Sequence, residues 1–292
     1  MASHATATVE KTDRIDTHVH IFPKNAPLAA DHRYAPDYDA LPAHLVATMR
    51  EAGLSRALLV QPSFLGTDNS FLLEAIAADP TRFAGIAVVD PTISLAGLDA
   101  LRRGGIVGVR LNCIGKAAPD FSGTHRALTE HLAALGMVLQ IQAEGAQWLG
   151  MEAFLSAPPI CVVIDHFGRT APDDPSGGFA SLLRAAARSD RMWFKFSAPY
   201  RLAPGAAASC ACAILKTVGG ERIVWGSDWP HTQFEGRHTY REALDWLASW
   251  VPDASGRANI LSRNPAKLFG LSRAAGPCGQ PTDAIPAVDE GA

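Results

Sequence analysis

Two rhythms alternate along the chain. Short runs of β-branched and apolar residues occur at 14–19 (RIDTHV), 56–61 (RALLVQ), 83–89 (FAGIAVV), 106–111 (IVGVRL), 137–142 (MVLQIQ), 160–165 (ICVVID), 192–197 (MWFKFS) and 222–226 (RIVWG). Between them, apolar residues recur with helical period, as in Leu45, Val46 and Met49, or Leu72, Leu73 and Ile76. Tyr240, Ala243, Leu244, Leu247 and Val251 share one helix face. Strands alternating with helices predict parallel βαβ units. Eight such units predict an α/β fold of (β/α)8 TIM-barrel type. A doubly wound sheet is the alternative, but its glycine-rich first turn is missing.

Residues 14–271 are expected to form this barrel, between flexible tails at 1–13 and 272–292. The C-terminal tail is rich in Ala, Gly and Pro. Residues 256–270 read as a last helical segment in which Pro265 opens a turn and Gly270 closes it.

Composition changes this picture little. The 292 residues are 48% hydrophobic and 19% charged, enough for a large core and too apolar for a disordered chain. Lys and Arg number 26 and Asp and Glu 29, a net charge of −3, so no basic field points to nucleic acid. No apolar stretch approaches the ~20 residues that span a bilayer, and the N-terminus has no secretory h-region. Cys113 and Cys161 read as core residues, Cys210 and Cys212 as an isolated C-x-C, and Cys278 as part of the tail. These features predict a cytoplasmic protein, monomeric or homodimeric, with no nucleic-acid or membrane partner.

The chemistry gathers where the strands end, which in a barrel is the catalytic face. Residues two apart on a strand point the same way. The first strand therefore presents Asp16, His18 and His20 together, and the fourth Arg110 and Asn112. The fifth presents Gln140 and Gln142, and the seventh Lys195 and Ser197. The sixth runs into Asp165-His166, and the eighth into Ser227-Asp228-Trp229-Pro230-His231. One strand-end histidine is commonly structural, and Asp228 alone could be a turn or cap residue. Together, His18, His20, His166 and Asp228 are candidate catalytic residues.

Around them, Arg110, Lys116, Arg169 and Arg201 are candidate cations for an anionic substrate, and a barrel-interior Arg110 needs an anion. Singly, each reads equally well as a solvated loop charge. Ser63, Asn69, Gln142 and His231 are candidate hydrogen-bonding groups. Tyr34 and Tyr38 lie on a long first loop that could cover the site. There is no G-x-S-x-G elbow and no phosphate-binding P-loop.

The stretches IDTHVHIF, VIDHFGR and VWGSDWPH, with VQPSFLGTDN after the second strand, resemble the amidohydrolase superfamily, in its amidohydrolase-2 branch. The resemblance covers about residues 14–270. It implies a (β/α)8 hydrolase acting on an acidic lactone, such as 2-pyrone-4,6-dicarboxylate, a sugar-acid lactone or a muconolactone, with isomerisation between lactones also known in the branch. Metal-dependent members carry a histidine on the fifth strand, where this chain has Gln140 and Gln142. The lactonases of the branch also lack that histidine and work without metal.

The expectation is thus a metal-free site with no cofactor. Asp228 would activate water, and the three histidines would polarise the carbonyl. The alternative is a Zn- or Mn-dependent amidohydrolase or decarboxylase held by His18, His20, His166 and Asp228.

Overall fold

The computed structural model describes residues 13–271; the expected tails beyond them, with Cys278, lie outside the described residues. The chain runs β1 (Ile15–Val19), α1 (Pro42–Glu51), β2 (Arg56–Val60), α2 (Ser70–Ala78), β3 (Phe83–Ala87), α3 (Leu95–Arg103), β4 (Ile106–Asn112) and α4 (Arg126–Leu135). It continues β5 (Val138–Gln142), α5 (Gln147–Ser156), β6 (Val162–Ile164), α6 (Gly178–Arg188), β7 (Met192–Phe196), α7 (Ala206–Val218), β8 (Ile223–Trp225), α8 (Tyr240–Trp250), α9 (Ala254–Leu261) and α10 (Arg263–Phe269). The strands pair in parallel in chain order, β1 to β8. This is the (β/α)8 barrel that the periodicity predicts, not the doubly wound sheet.

Closure between β8 and β1 depends on the residues that later build the site. The Thr17 hydroxyl donates to the Trp225 carbonyl at 2.8 Å. The Asp228 N–H donates to the His18 carbonyl at 2.9 Å, and the His20 N–H to that of Trp229 at 2.8 Å. Gly226 permits the approach, because a Cβ there would lie 2.4 Å from the His18 Cβ. Asp16 ties the seam by accepting from the His18 and Ser227 N–H groups at 3.0 Å and from the Tyr240 hydroxyl at 2.7 Å. Even so, burial pushes its carboxyl up to about 6.

The strand faces alternate as the pleat requires. Leu59, Val109, Leu139, Ile141, Val162, Ile164, Phe194 and Trp225 pack outward among the helices. Inside, the lower barrel is apolar, with Leu58, Val60, Ile86, Val138, Val163, Trp193 and Val224 over Leu268 and Phe269 of α10. Residues 256–270 form the end of one helix and the whole of a second, not one segment. Ser262 breaks them at φ −133° and ψ −75°, Pro265 lies within α10, and Gly270 caps it at φ 64°. No helix among the described residues is long and apolar enough to cross a membrane.

Candidate active site

Above the apolar floor, the inward positions turn polar. Asp165, Lys195, Gln140, His18 and Arg110 form a buried network. Asp165 Oδ2 accepts from Arg110 Nε at 3.1 Å and Gln140 Nε2 at 2.9 Å. Lys195 Nζ lies 2.8 Å from Gln140 Oε1 and 3.0 Å from His18 Nδ1. It also lies 3.1 Å from Asp165 Oδ1, close enough to pair electrostatically but off line for a hydrogen bond. Burial alone would raise the Asp165 carboxyl, but Lys195, His18 and Arg110 hold it well below the usual carboxylate range.

The next layer holds Asp228 and three histidines. Asp228 stands just beyond β8 at φ 63°, a left-handed conformation that non-glycine residues seldom adopt. Its Oδ2 accepts from Tyr200 Oη at 2.6 Å and from Arg201 Nε and Nη2 at 2.9 and 2.8 Å. Its Oδ1 has no hydrogen-bond partner and faces three imidazole Nε2 atoms: His18 at 3.5 Å, His20 at 3.7 Å and His166 at 3.8 Å. Burial opposes charge on Asp228, yet Arg201 and His166 keep its carboxyl well below the ordinary range. Burial likewise lowers His166 to about 3, and burial with Lys195 holds His18 well below 6.5.

The outer nitrogens orient the rings. His20 Nδ1 lies 2.8 Å from the Val60 carbonyl, which only accepts, so Nδ1 carries a proton, and a ring holding only that proton presents Nε2 as an acceptor. His166 Nδ1 meets the Ser197 hydroxyl at 2.8 Å. His166, Phe167 and Arg169 all have φ between 45° and 57°, so the segment after β6 stores backbone strain while it delivers His166 and Arg169 to the pocket.

Among the described residues, the ligand atoms of His18, His166 and Asp228 come within 4.8 Å of one another, a spacing that could embrace a metal ion. The hydrogen bonds of His18 fit one poorly. His18 Nδ1 meets the donors of Lys195 at 3.0 Å and Gln140 Nε2 at 3.5 Å, so the ring proton belongs on Nε2, the atom a metal would need bare.

The mouth of the site is lined by His20, Ser63, Arg110, Gln142, His166, Arg169, Arg201 and Asp228 of the expected residues, around about 60 Å³ of free space. A recess of about 490 Å³ adjoins it along Ser63, Arg110 and Asn112. His18 is wholly buried behind that lining, against Asp228, His20 and His166, and four expected ligands are placed differently. Lys116 is exposed, pairs with Asp31 at 2.9 Å and lines the recess. Asn69 commits its amide to Thr67 and Val88, at 2.9 Å each as donor and 3.1 Å as acceptor, and so pins the loop before α2 to the end of β3. Tyr38 packs on Phe22 and donates to Glu235 at 2.9 Å, while Tyr34, which also donates to Glu235, reaches the pocket. His231 sits behind the site, 3.2 Å from the Tyr200 hydroxyl.

Arg33, Thr232 and Gln233 line the pocket and Tyr200 bonds Asp228 at its edge, and none of them is a candidate in the sequence reading. Tyr200 has a signal in its adjacency to Arg201. Arg33, on the exposed first loop, has none.

These shifts predict the pH profile. Asp228 stays ionised and His18 and His166 stay neutral until pH falls through their lowered pKa values. The kcat/KM of the active enzyme should therefore show no acid limb from these groups between about pH 5 and 8. A limb near 6.5 that shifts in His18→Gln or His166→Gln would overturn this.

A parallel barrel with a histidine–aspartate centre at the C-terminal ends of its strands defines a (β/α)8 enzyme of the amidohydrolase type. The sequence matches the amidohydrolase family over residues 15–271, and the chain belongs to it. It is 31% identical to a 2-pyrone-4,6-dicarboxylate hydrolase of Comamonas testosteroni, over 87% of this chain and 89% of that one. It is 29% identical to a 4-sulfomuconolactone hydrolase of Rhizobium radiobacter, over 88% and 89%. In structure it resembles a probable 2-pyrone-4,6-dicarboxylic acid hydrolase of Acinetobacter baumannii with citric acid bound, with a TM-score of 0.82 and 34% identity. That similarity covers 88% of this chain and 99% of the other.

Proposed function

We propose that the protein hydrolyses an acidic lactone without a metal ion, with Asp228 as the general base. The observation that carries this is Asp228 Oδ1, a buried carboxylate oxygen with no hydrogen-bond partner that faces three imidazoles beneath an arginine-lined mouth. A buried, unpartnered acceptor is costly unless a ligand completes it. Water bound between Asp228 Oδ1 and His20 Nε2 would donate one proton to each and turn its oxygen toward the substrate. Asp228 takes the first proton as the oxygen attacks the lactone carbonyl. The carbonyl oxygen would turn toward Arg110 and the His18 Nε2–H as negative charge develops on it. Collapse of the adduct expels the ring oxygen, which takes that proton back from Asp228, so one carboxylate acts as base and then as acid.

The arginines Arg33, Arg110, Arg169 and Arg201 favour a substrate that carries carboxylates. The names of the relatives agree, as does the citric acid, a tricarboxylate, bound to the Acinetobacter protein. Ligand pockets for small molecules run to ~300–1,000 Å³, so a carboxylated ring needs the adjoining recess as well as the inner pocket.

The test is a panel of 2-pyrone-4,6-dicarboxylate, muconolactones and sugar-acid lactones, run with metal-stripped enzyme. The expected result is ring opening of at least one acidic lactone, undiminished by chelator and not stimulated by added Zn or Mn. Loss of activity on chelation, with recovery on adding metal, would favour the metal-dependent alternative.

A further inference from the structure

We propose that Lys195 is a positioning residue that fixes His18 as an Nε2–H donor toward the reacting oxygen. The inference rests on the lactonase reading for its catalytic half and on hydrogen-bond accounting for its structural half. Lys195 is wholly buried on β7 and reaches the pocket only through His18, which is itself buried against the pocket residues Asp228, His20 and His166. Its ammonium has only donors. One goes to Gln140 Oε1 at 2.8 Å and one to His18 Nδ1 at 3.0 Å, while the third lies toward Asp165 Oδ1 at 3.1 Å.

The orientation of the Gln140 amide is settled by the same neighbours. Its nitrogen donates to Asp165 Oδ2 at 2.9 Å and its oxygen accepts from Lys195, and a flip would oppose donor to donor and acceptor to acceptor. The amide nitrogen is also the group that turns toward His18 Nδ1, at 3.5 Å. Two donors therefore converge on one ring nitrogen. A proton on Nδ1 would point at Lys195 and leave only Asp165 Oδ1, farther off at 3.4 Å, to accept it.

With Nδ1 as acceptor, the neutral ring carries its proton on Nε2. That atom is buried, has no hydrogen-bond partner and points at Asp228 Oδ1 from 3.5 Å. His20 is set the opposite way by the Val60 carbonyl. The centre thus divides into a donor, His18, for the carbonyl oxygen and acceptors, His20 and Asp228, for water. If His18 turned over its tautomer, the donor would be lost and the imidazole lone pair would face the developing oxyanion.

The test needs no substrate in its first step. Enzyme labelled with ¹⁵N-histidine is examined by NMR, and the His18 resonances are identified among the ten histidines by their loss in His18→Gln. The expected spectrum has His18 protonated at Nε2 and bare at Nδ1. In Lys195→Met, His18 should move to the Nδ1–H form, and kcat on the best lactone should fall about 10²-fold, the scale of one lost oxyanion donor, with KM little changed.

An Nδ1–H His18 in the unaltered enzyme, or a Lys195→Met enzyme that keeps both the Nε2–H form and full kcat, overturns the inference. If Lys195→Met does not fold, the spectrum of the unaltered enzyme decides alone. The two proposals fail separately. Lactone turnover with an Nδ1–H His18 removes only the role of Lys195, and an Nε2–H His18 without lactone turnover removes only the substrate reading.

Discussion

Replacing Asp228 by Asn should lower kcat by about 10³–10⁴-fold while leaving the binding of acidic ligands intact. Asparagine is the replacement of choice because it tolerates the left-handed backbone of this position, φ 63°, better than alanine does. Its amide oxygen can still accept from Tyr200 and Arg201, so the pocket wall keeps its shape. What disappears is the proton acceptor at Oδ1 and, with it, the acid that would protonate the ring oxygen. The loss falls near the upper end expected for general acid–base catalysis because the same group serves both steps.

Binding should hold or tighten. In the unaltered enzyme Asp228 engages Arg201 through two hydrogen bonds. The neutral amide frees part of that charge for a substrate carboxylate. Steady-state kinetics on the best lactone and calorimetry with citrate as a stand-in anion measure the two effects. A variant within tenfold of full kcat would remove Asp228 from the base role.

How much of this site can be read from the chain alone depends on the residue. The parity of β1, β4, β5 and β7 is legible because side-chain direction alternates strictly, and it brings His18, Arg110, Gln140, Gln142 and Lys195 to the axis as expected. Partnership between strands is not legible. Arg110 reads as a substrate cation because a barrel-interior guanidinium needs an anion, and it has one in Asp165, 55 residues further on. Arg201 meets Asp228, Arg169 meets Glu144 at 3.1 Å and Lys116 meets Asp31, so each expected cation already has a carboxylate beside it.

These pairings depend on register and loop path, which the pattern of the chain does not encode locally. Asn69 fails as a ligand for the same reason. Its partners Thr67 and Val88 are set by how the loop before α2 meets the end of β3. Arg33 is legible to no local rule, since a loop arginine reaches a pocket only through the path of the loop.

The strongest structural consequence of the buried network concerns Asp165. Asp165→Asn should destabilise the fold by about 3–5 kcal/mol, the cost of leaving buried charge uncompensated. At ~2–4 °C per kcal/mol for a domain of this size, the melting temperature should fall by roughly 6–20 °C. The carboxylate has Lys195 and His18 beside Oδ1 and Arg110 and Gln140 on Oδ2, all of them buried. An asparagine can satisfy one of these sides, but its NH₂ group then meets a donor on the other.

The pH dependence follows from the direction of the shift. The folded-state pKa of Asp165 is depressed, so its contribution is present above the ordinary carboxylate value and is lost as pH falls through the folded value. The gap between variant and unaltered enzyme should be widest near neutrality and narrow only in strong acid. A second substitution separates charge from shape: Asp165→Asn with Lys195→Met removes the unpaired ammonium and should recover part of the lost stability. Thermal or denaturant unfolding of the three variants at pH 7 measures this. A single variant within 1 kcal/mol of the unaltered enzyme, by about the size of ordinary surface effects, would show that Asp165 does not hold the buried cations in place.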